Sequence, residues 1–155
     1  MDENQSLPWD HPRFRSWVAV ARACQLMQQT LARALAHLEL KPPHLDILVN
    51  LYRFEGISQQ ELARKLLVGR SNMSMLLPQM EKRGLLERRG DARDKRVLRL
   101  YLTEAGKQVT EQAMTIQTAL IERSLSTMPL ENCATVAETM DDLIAVLLAD
   151  MKDGE

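Results

Sequence analysis

The run GISQQELARKLLVGRSNMSMLLPQMEKRGLL, Gly56 to Leu86, constrains the fold more than any other part of this chain. It encodes a short helix, a tight turn and a second helix. Ser58 to Glu61, SQQE, has the form of a capping box. In such a box the serine oxygen accepts from the backbone three residues on, and the glutamate reaches back to the serine N–H. This first helix is expected to end near Leu66. Val68 and Gly69 supply the turn, with Gly69 as an acceptable N-cap. The second helix is expected over Arg70 to Arg83, with Gly84 as its stop.

On a helical wheel Met73, Leu76, Leu77 and Met80 share one face and belong in a core. Ser71, Ser74, Met75, Gln79 and Lys82 lie opposite, with Arg70 and Asn72 on the flanks near the N-terminus. Small hydroxyls, amides and cations suit entry into the major groove of DNA, where amides and guanidinium read base edges. The free N–H groups of the helix start favour phosphate. A plain amphipathic surface helix would show the same wheel, so this helix alone does not decide. Pro78 cannot donate to the Ser74 carbonyl, which predicts a bend near Ser74 to Pro78 that leaves the turns carrying Arg70 to Met75 intact.

The segment beyond Gly84 tips the balance. LLERR and RVLRLYL flank GDARDK, and Leu98, Leu100 and Leu102 alternate with Val97, Arg99 and Tyr101 as in a half-buried strand. Glycine and two aspartates in the connector fit a hairpin loop. A basic loop just beyond a two-helix unit is the geometry of a winged helix, whose wing can place arginine in a narrow, A·T-rich minor groove. Charge is segregated accordingly. Ser58 to Arg99 holds eleven Lys and Arg against five Asp and Glu, a net of +6, whereas Leu100 to Glu155 nets −7. A basic middle beside an acidic tail implies one surface for a polyanion and another kept off it, although a solvated mixed surface is the plainer alternative.

The flanks read as helices. Trp17, Ala21, Cys24, Met27, Gln28, Leu31, Leu35 and Leu38 form a stripe at steps of three and four, expected to begin at His11 or Pro12 and to stop before LKPPH. Pro42 and Pro43 suit the start of the next helix, which ends near Gly56. Thr103 caps a helix running to about Ser124. After Pro129 a last helix carries Cys133, Val136, Met140, Leu143, Ile144, Leu147, Leu148 and Met151 on one side. The first and last helices are too long and too apolar to pack only on so small a middle, so pairing with a second copy is expected. The fold class is therefore mainly α with a small β-hairpin wing: a winged helix-turn-helix core flanked by N- and C-terminal dimerisation helices. In residue terms this is a loose arm over 1–10, a dimerisation helix over 11–39, a DNA-binding domain over 40–102, and C-terminal dimerisation helices over 103–155.

Several function classes fall away. No apolar run approaches a membrane span, the start lacks a signal peptide's apolar core, and only two cysteines are present, which reads as a cytoplasmic, reduced protein. His11, His37 and His44 lack zinc-like spacing, so no metal or cofactor is expected. No nucleophile motif or phosphate loop points to an enzyme, and no catalytic residue is assigned.

The residues GISQQELARKL, GRSNMSMLLPQMEKRGLLERR, DARDKR and LTEAG, at this spacing, resemble the MarR family of transcriptional regulators over about Leu40 to Gly106. The resemblance implies a homodimer on a pseudo-palindromic operator in double-stranded DNA, probing successive major grooves with the helix that follows Gly69. It implies that Arg70, Ser71, Asn72 and Ser74 contact bases and phosphates, with Met75 and Lys82 on the same face. It makes Arg96 the minor-groove arginine and Asp94 its holder, with Arg93 and Lys95 meeting phosphate. It also implies a small effector, phenolic or another aromatic acid, bound between the DNA-binding lobe and the dimer interface. Trp17, Met27, Leu31, His44, Leu48 and Tyr52 are the candidates for a cleft between the first two helices and the fifth; ordinary core is the other reading of each. Two rivals stand beside this reading. One is a winged-helix protein-interaction module that docks an acidic partner. The other is a thiol-based redox regulator using Cys24 and Cys133, although Cys24 is expected to lie buried on the apolar stripe, where a thiol is blunted.

Overall fold

The computed structural model describes residues 7–66 and 70–154, and for residues 70 and 71 the backbone only. The turn expected at Val68 and Gly69, and most of the expected N-terminal arm, lie outside the described residues. A single 3-10 turn, Pro8–Asp10, precedes α1, Phe14–Leu35, so the first helix begins slightly later than its periodicity implies. A second 3-10 turn, Ala36–Leu38, leads to α2, Pro42–Arg53. Then come α3, Gln59–Leu66; α4, Arg70–Lys82; β1, Leu86–Gly90; β2, Leu98–Leu102; α5, Glu104–Leu125; and α6, Leu130–Asp153. The chain divides into two units, Met1–Gln117 and Thr118–Glu155, and the division falls within α5.

The core of the first unit is aliphatic. Leu45, Ile47, Leu48 and Leu51 of α2, Leu62 of α3, Met73, Leu77 and Met80 of α4, and Leu86 and Leu100 of the hairpin are all inaccessible or nearly so. Met73, Leu77 and Met80 recur at three- and four-residue steps, which turns one face of α4 onto that core and leaves Asn72, Ser74, Met75, Gln79 and Lys82 exposed. The helix runs through Pro78 without a break. Pro78 and Ser74 are both exposed, so water can reach the Ser74 carbonyl that proline leaves without a donor.

Local chemistry explains the joints. Ser58 and Glu61 form the reciprocal box: Glu61 N–H donates to Ser58 Oγ at 3.1 Å, and Ser58 N–H donates to Glu61 Oε2 at 3.2 Å. LTEAG is a docking joint as well as a helix start. Thr103 Oγ1 accepts from Gly106 N–H at 3.0 Å and donates to the Gly84 carbonyl at 2.6 Å. A Cβ at position 106 would overlap the Leu85 carbonyl oxygen, so only glycine lets α5 sit against the turn before β1. At the other end of that turn, Arg83 donates to the carbonyls of Glu39 at 2.8 Å and Leu38 at 3.3 Å, where Glu39 holds a left-handed φ of 55°.

The hairpin is antiparallel, pairing Leu86 with Leu102 through Gly90 with Leu98. It carries a short third partner that periodicity does not reveal: Gly56 N–H donates to Leu100 O, Leu100 N–H donates to Ile57 O, both at 3.0 Å, and Ser58 bridges Arg99. Leu100 and Leu102 face the core as the alternation requires. Leu98 does not; it lies opposite Gly90 at the far end of the ladder and is exposed.

In the second unit α6 buries none of its residues; Val136, Ile144, Leu147 and Met151 are exposed. Cys24 corrects the expectation of burial: it is exposed in the single chain. The stripe of α1 reaches the core only at its end, through Leu31 and Leu35, and Trp17, Ala21 and Met27 are exposed with Cys24.

Candidate nucleic-acid interface

The wing loop is shaped by two carboxylates. Asp94 receives Arg96 in a fork, Nε to Oδ1 at 3.0 Å and Nη2 to Oδ2 at 3.1 Å, and Arg96 N–H donates to Oδ1 at 3.0 Å. The Arg96 side chain stays 91% exposed, so the fork aims the guanidinium without sequestering it. Asp91 accepts from the N–H groups of Arg93 at 3.0 Å and Asp94 at 3.1 Å, and from Arg99 Nε at 2.5 Å. Both carboxyls are held below the usual carboxylate range. For Asp91 the Arg99 hydrogen bond is the main cause and the two backbone donors add to it; for Asp94 it is the Arg96 side chain, then its N–H.

Not every cation in the basic middle is available. Arg88 donates to Glu81 at 2.5 Å, and Arg89 to Glu87 at 2.8 Å while lying 4.4 Å over the Tyr101 ring. Lys65 sits 4.3 Å over Phe54, and Arg83 and Arg99 are spent on carbonyls or carboxylate. Among the described residues, Lys82, Arg93 and Lys95 are exposed and enter no ion pair. With Arg96 they share the first unit with the exposed Asn72, Ser74 and Met75. The side chains of Arg70 and Ser71 lie outside the described residues. Ser74 and Arg96 also line one cavity of about 340 Å³, together with Ser58, Gln59, Met73 and Leu98, so the face of α4 and the wing border the same groove.

The six residues expected to line an effector cleft stand in different surroundings. His44 and Leu48 are buried, and Leu31 packs against the core. Met27 is exposed. Tyr52 lines a cavity of about 210 Å³ with Glu55, Leu102 and Lys107, and its hydroxyl donates to Glu111 at 2.9 Å. Trp17 lines another, of about 360 Å³, with Leu7, Pro8, His11, Arg13 and Phe14. His44 has structural work: its Nδ1 accepts from Lys41 N–H at 3.0 Å at the start of α2, and burial, then Arg83 and Lys41, lower its pKa. Among the described residues no group of three or more His, Cys, Asp or Glu could hold a metal, and no helix is long and apolar enough to cross a membrane.

Residues 38–97 match the MarR family. The transcriptional regulator HosA of Escherichia coli is 32% identical over 108 residues, covering 69% of this chain and 80% of that protein. Among solved structures, AbsC, a MarR family regulator from Streptomyces coelicolor, superposes with a TM-score of 0.81 at 23% identity, over 86% of this chain and 93% of that one. The transcriptional repressor CouR, bound to a 23-mer DNA duplex, superposes with a TM-score of 0.72 at 26% identity, over 82% of this chain and 89% of that one. Capped helix, groove-facing helix, carboxylate-held wing and these likenesses agree: the chain belongs to the MarR family of winged helix-turn-helix DNA-binding transcriptional regulators, and is not an enzyme.

Proposed function

We propose that the protein is a homodimeric repressor that holds a pseudo-palindromic operator with α4 and the wing of each copy and is released by a small aromatic acid. The observation that carries the DNA-binding half is Arg96: fully presented, yet fixed by Asp94 on the same lobe as the exposed polar start of α4. In this reading Asn72, Ser74 and Met75, with Arg70 and Ser71, meet the major groove. Lys82, Arg93 and Lys95 meet phosphate, and Arg96 enters the flanking minor groove. Two recognition helices about 34–36 Å apart, one DNA turn, require a second copy. The exposed apolar faces of α1 and α6 support that requirement. Repression is favoured by the likeness to CouR.

An aromatic acid is favoured by the cavity at the start of α1, where Phe14 and Trp17 stand beside His11 and Arg13. Rings to stack on and a guanidinium to neutralise the charge are what an aromatic carboxylate needs. Such a ligand weakens DNA binding only by its differential affinity for the free and the bound arrangement.

The deciding experiment is selection of bound duplexes from a random pool, repeated with salicylate present. The expected result is a two-fold-symmetric site held at least about 10³ tighter than random duplex. Its affinity should fall with salt at a slope of about −0.9 per phosphate neutralised, and the protein should release it when salicylate is added. Recovery of no sequence from the pool, with binding to an acidic protein instead, would favour the protein-interaction reading. The redox alternative has its own test: mass spectrometry after mild hydroperoxide treatment, where a protein unmodified at both Cys24 and Cys133 ends it.

A further inference from the structure

We propose that Arg99 is the positioning residue of the wing, setting where Arg96 meets DNA without touching DNA itself. This rests on the reading of Arg96 as the minor-groove arginine. Arg99 donates through Nη1 to the Gly56 carbonyl at 2.9 Å and through Nε to Asp91 at 2.5 Å. Gly56 belongs to the segment between α2 and α3, so the first bond fastens β2 to the body of the helix-turn-helix. The second passes that anchorage to the loop, because Asp91 also holds the N–H groups of Arg93 and Asp94. Asp94 then holds Arg96. The path from scaffold to wing tip is thus Gly56, Arg99, Asp91, the 93–94 backbone, Asp94, Arg96.

Solvent decides which link matters. An exposed ion pair contributes little, since water and salt compete for both partners. The Asp94–Arg96 pair is of that kind on the arginine side. The side chain of Asp91 is only 18% exposed and that of Arg99 40%, and Asp91 spends its oxygens on three donors from the wing. The inner pair is therefore the stiff one. It turns inward the Arg99 nitrogens that a phosphate contact would use.

The test is a double-mutant cycle read on duplexes from the random-pool selection, made with A·T or G·C flanks. Wild type should prefer A·T flanks, and Arg96→Ala should lower that preference about tenfold. Arg99→Met keeps the aliphatic stem and should lower the flank preference to a similar degree although Arg96 is intact. Selection at the central bases should be unchanged, and Arg96→Ala/Arg99→Met should be no worse than Arg96→Ala alone. Amide exchange at Arg93 and Asp94 should quicken while that of α4 does not. If Arg99→Met lowers the thermal midpoint, Arg99→Lys carries the same measurement, keeping one of the two links and an intermediate flank preference. The inference is overturned if Arg99→Met keeps the flank preference. It is also overturned if its loss adds in full to that of Arg96→Ala on both flanks, which marks a direct phosphate contact. If Arg96→Ala itself leaves the flank preference unchanged, the minor-groove reading falls first and this inference with it.

Discussion

Leu48, Leu62, Leu77 and Leu100 in the lobe between α2 and β2 are 0% exposed, whereas Met151 at the end of α6 is 71% exposed and no residue of that helix is buried. The helices of both stretches carry the same periodicity. The lobe closes its apolar stripes against one another within a single chain. The stripe of α6 is covered only in part: Cys133, Met140, Leu143 and Leu148 are half-buried, and Val136, Ile144, Leu147 and Met151 are exposed. Periodicity therefore states which face is apolar, and the length of chain available nearby states whether that face can be covered at home. The lobe's stability is expected to be a property of the chain, and that of α6 a property of its concentration.

The self-sufficiency of the lobe should fail most severely at Gly106. Gly106→Val should prevent the lobe from folding, a loss of at least about 4 kcal/mol, because the new side chain collides with the backbone of Leu85; the loss of a cooperative thermal transition reports it. A smaller contrast separates the two regions directly. Leu62→Ala should cost about 2–5 kcal/mol at any protein concentration. Ile144→Ala on α6 should leave dilute samples unchanged and lower the thermal midpoint only where the protein is concentrated enough to associate. Ser58→Ala removes one half of the α3 box and should cost about 1 kcal/mol in denaturant titrations.

The smallest effect is a pH dependence. The folded pKa of His44 lies below the ordinary 6.5, so the folded state binds this proton less readily than the unfolded chain. Its contribution is fully present above 6.5 and is lost as pH falls from there through the lower folded value. The lobe's midpoint should decline over that window, and His44→Gln, which still accepts from Lys41 N–H, should flatten it. Asp91 and Asp94 are depressed below 3.8, so their contribution is present above 3.8 and fades only in stronger acid. The two groups are therefore separable in one titration.

What is legible in the chain is local. The box of Ser58 and Glu61 and the Thr103 cap each span three residues and follow from backbone geometry, whereas the pairing of Asp94 with Arg96, equally local, is implied by the family resemblance. What is not legible crosses the fold. Arg99 counts in the sequence as one more cation, but its partners Asp91 and Gly56 come from the far side of the wing loop and from the segment before α3. Tyr101 behind Gly56, and Leu85 behind Gly106, likewise become visible only once separate elements touch. Cys24 escapes sequence reasoning for a related reason: a stripe shows sidedness, and α1 extends past the core that would have hidden it.

The grip of Arg83 on the carbonyls of Leu38 and Glu39 has a mechanical side. The residue that closes the rear of α4 also fastens the elbow where α1 hands over to α2. Any tilt of α1 that carries those carbonyls away must tow the rear of α4 along or surrender two charge-assisted bonds. In the proposed reading, a molecule lodged beside α1 would work a short crank on α4 without approaching the groove that α4 is proposed to enter.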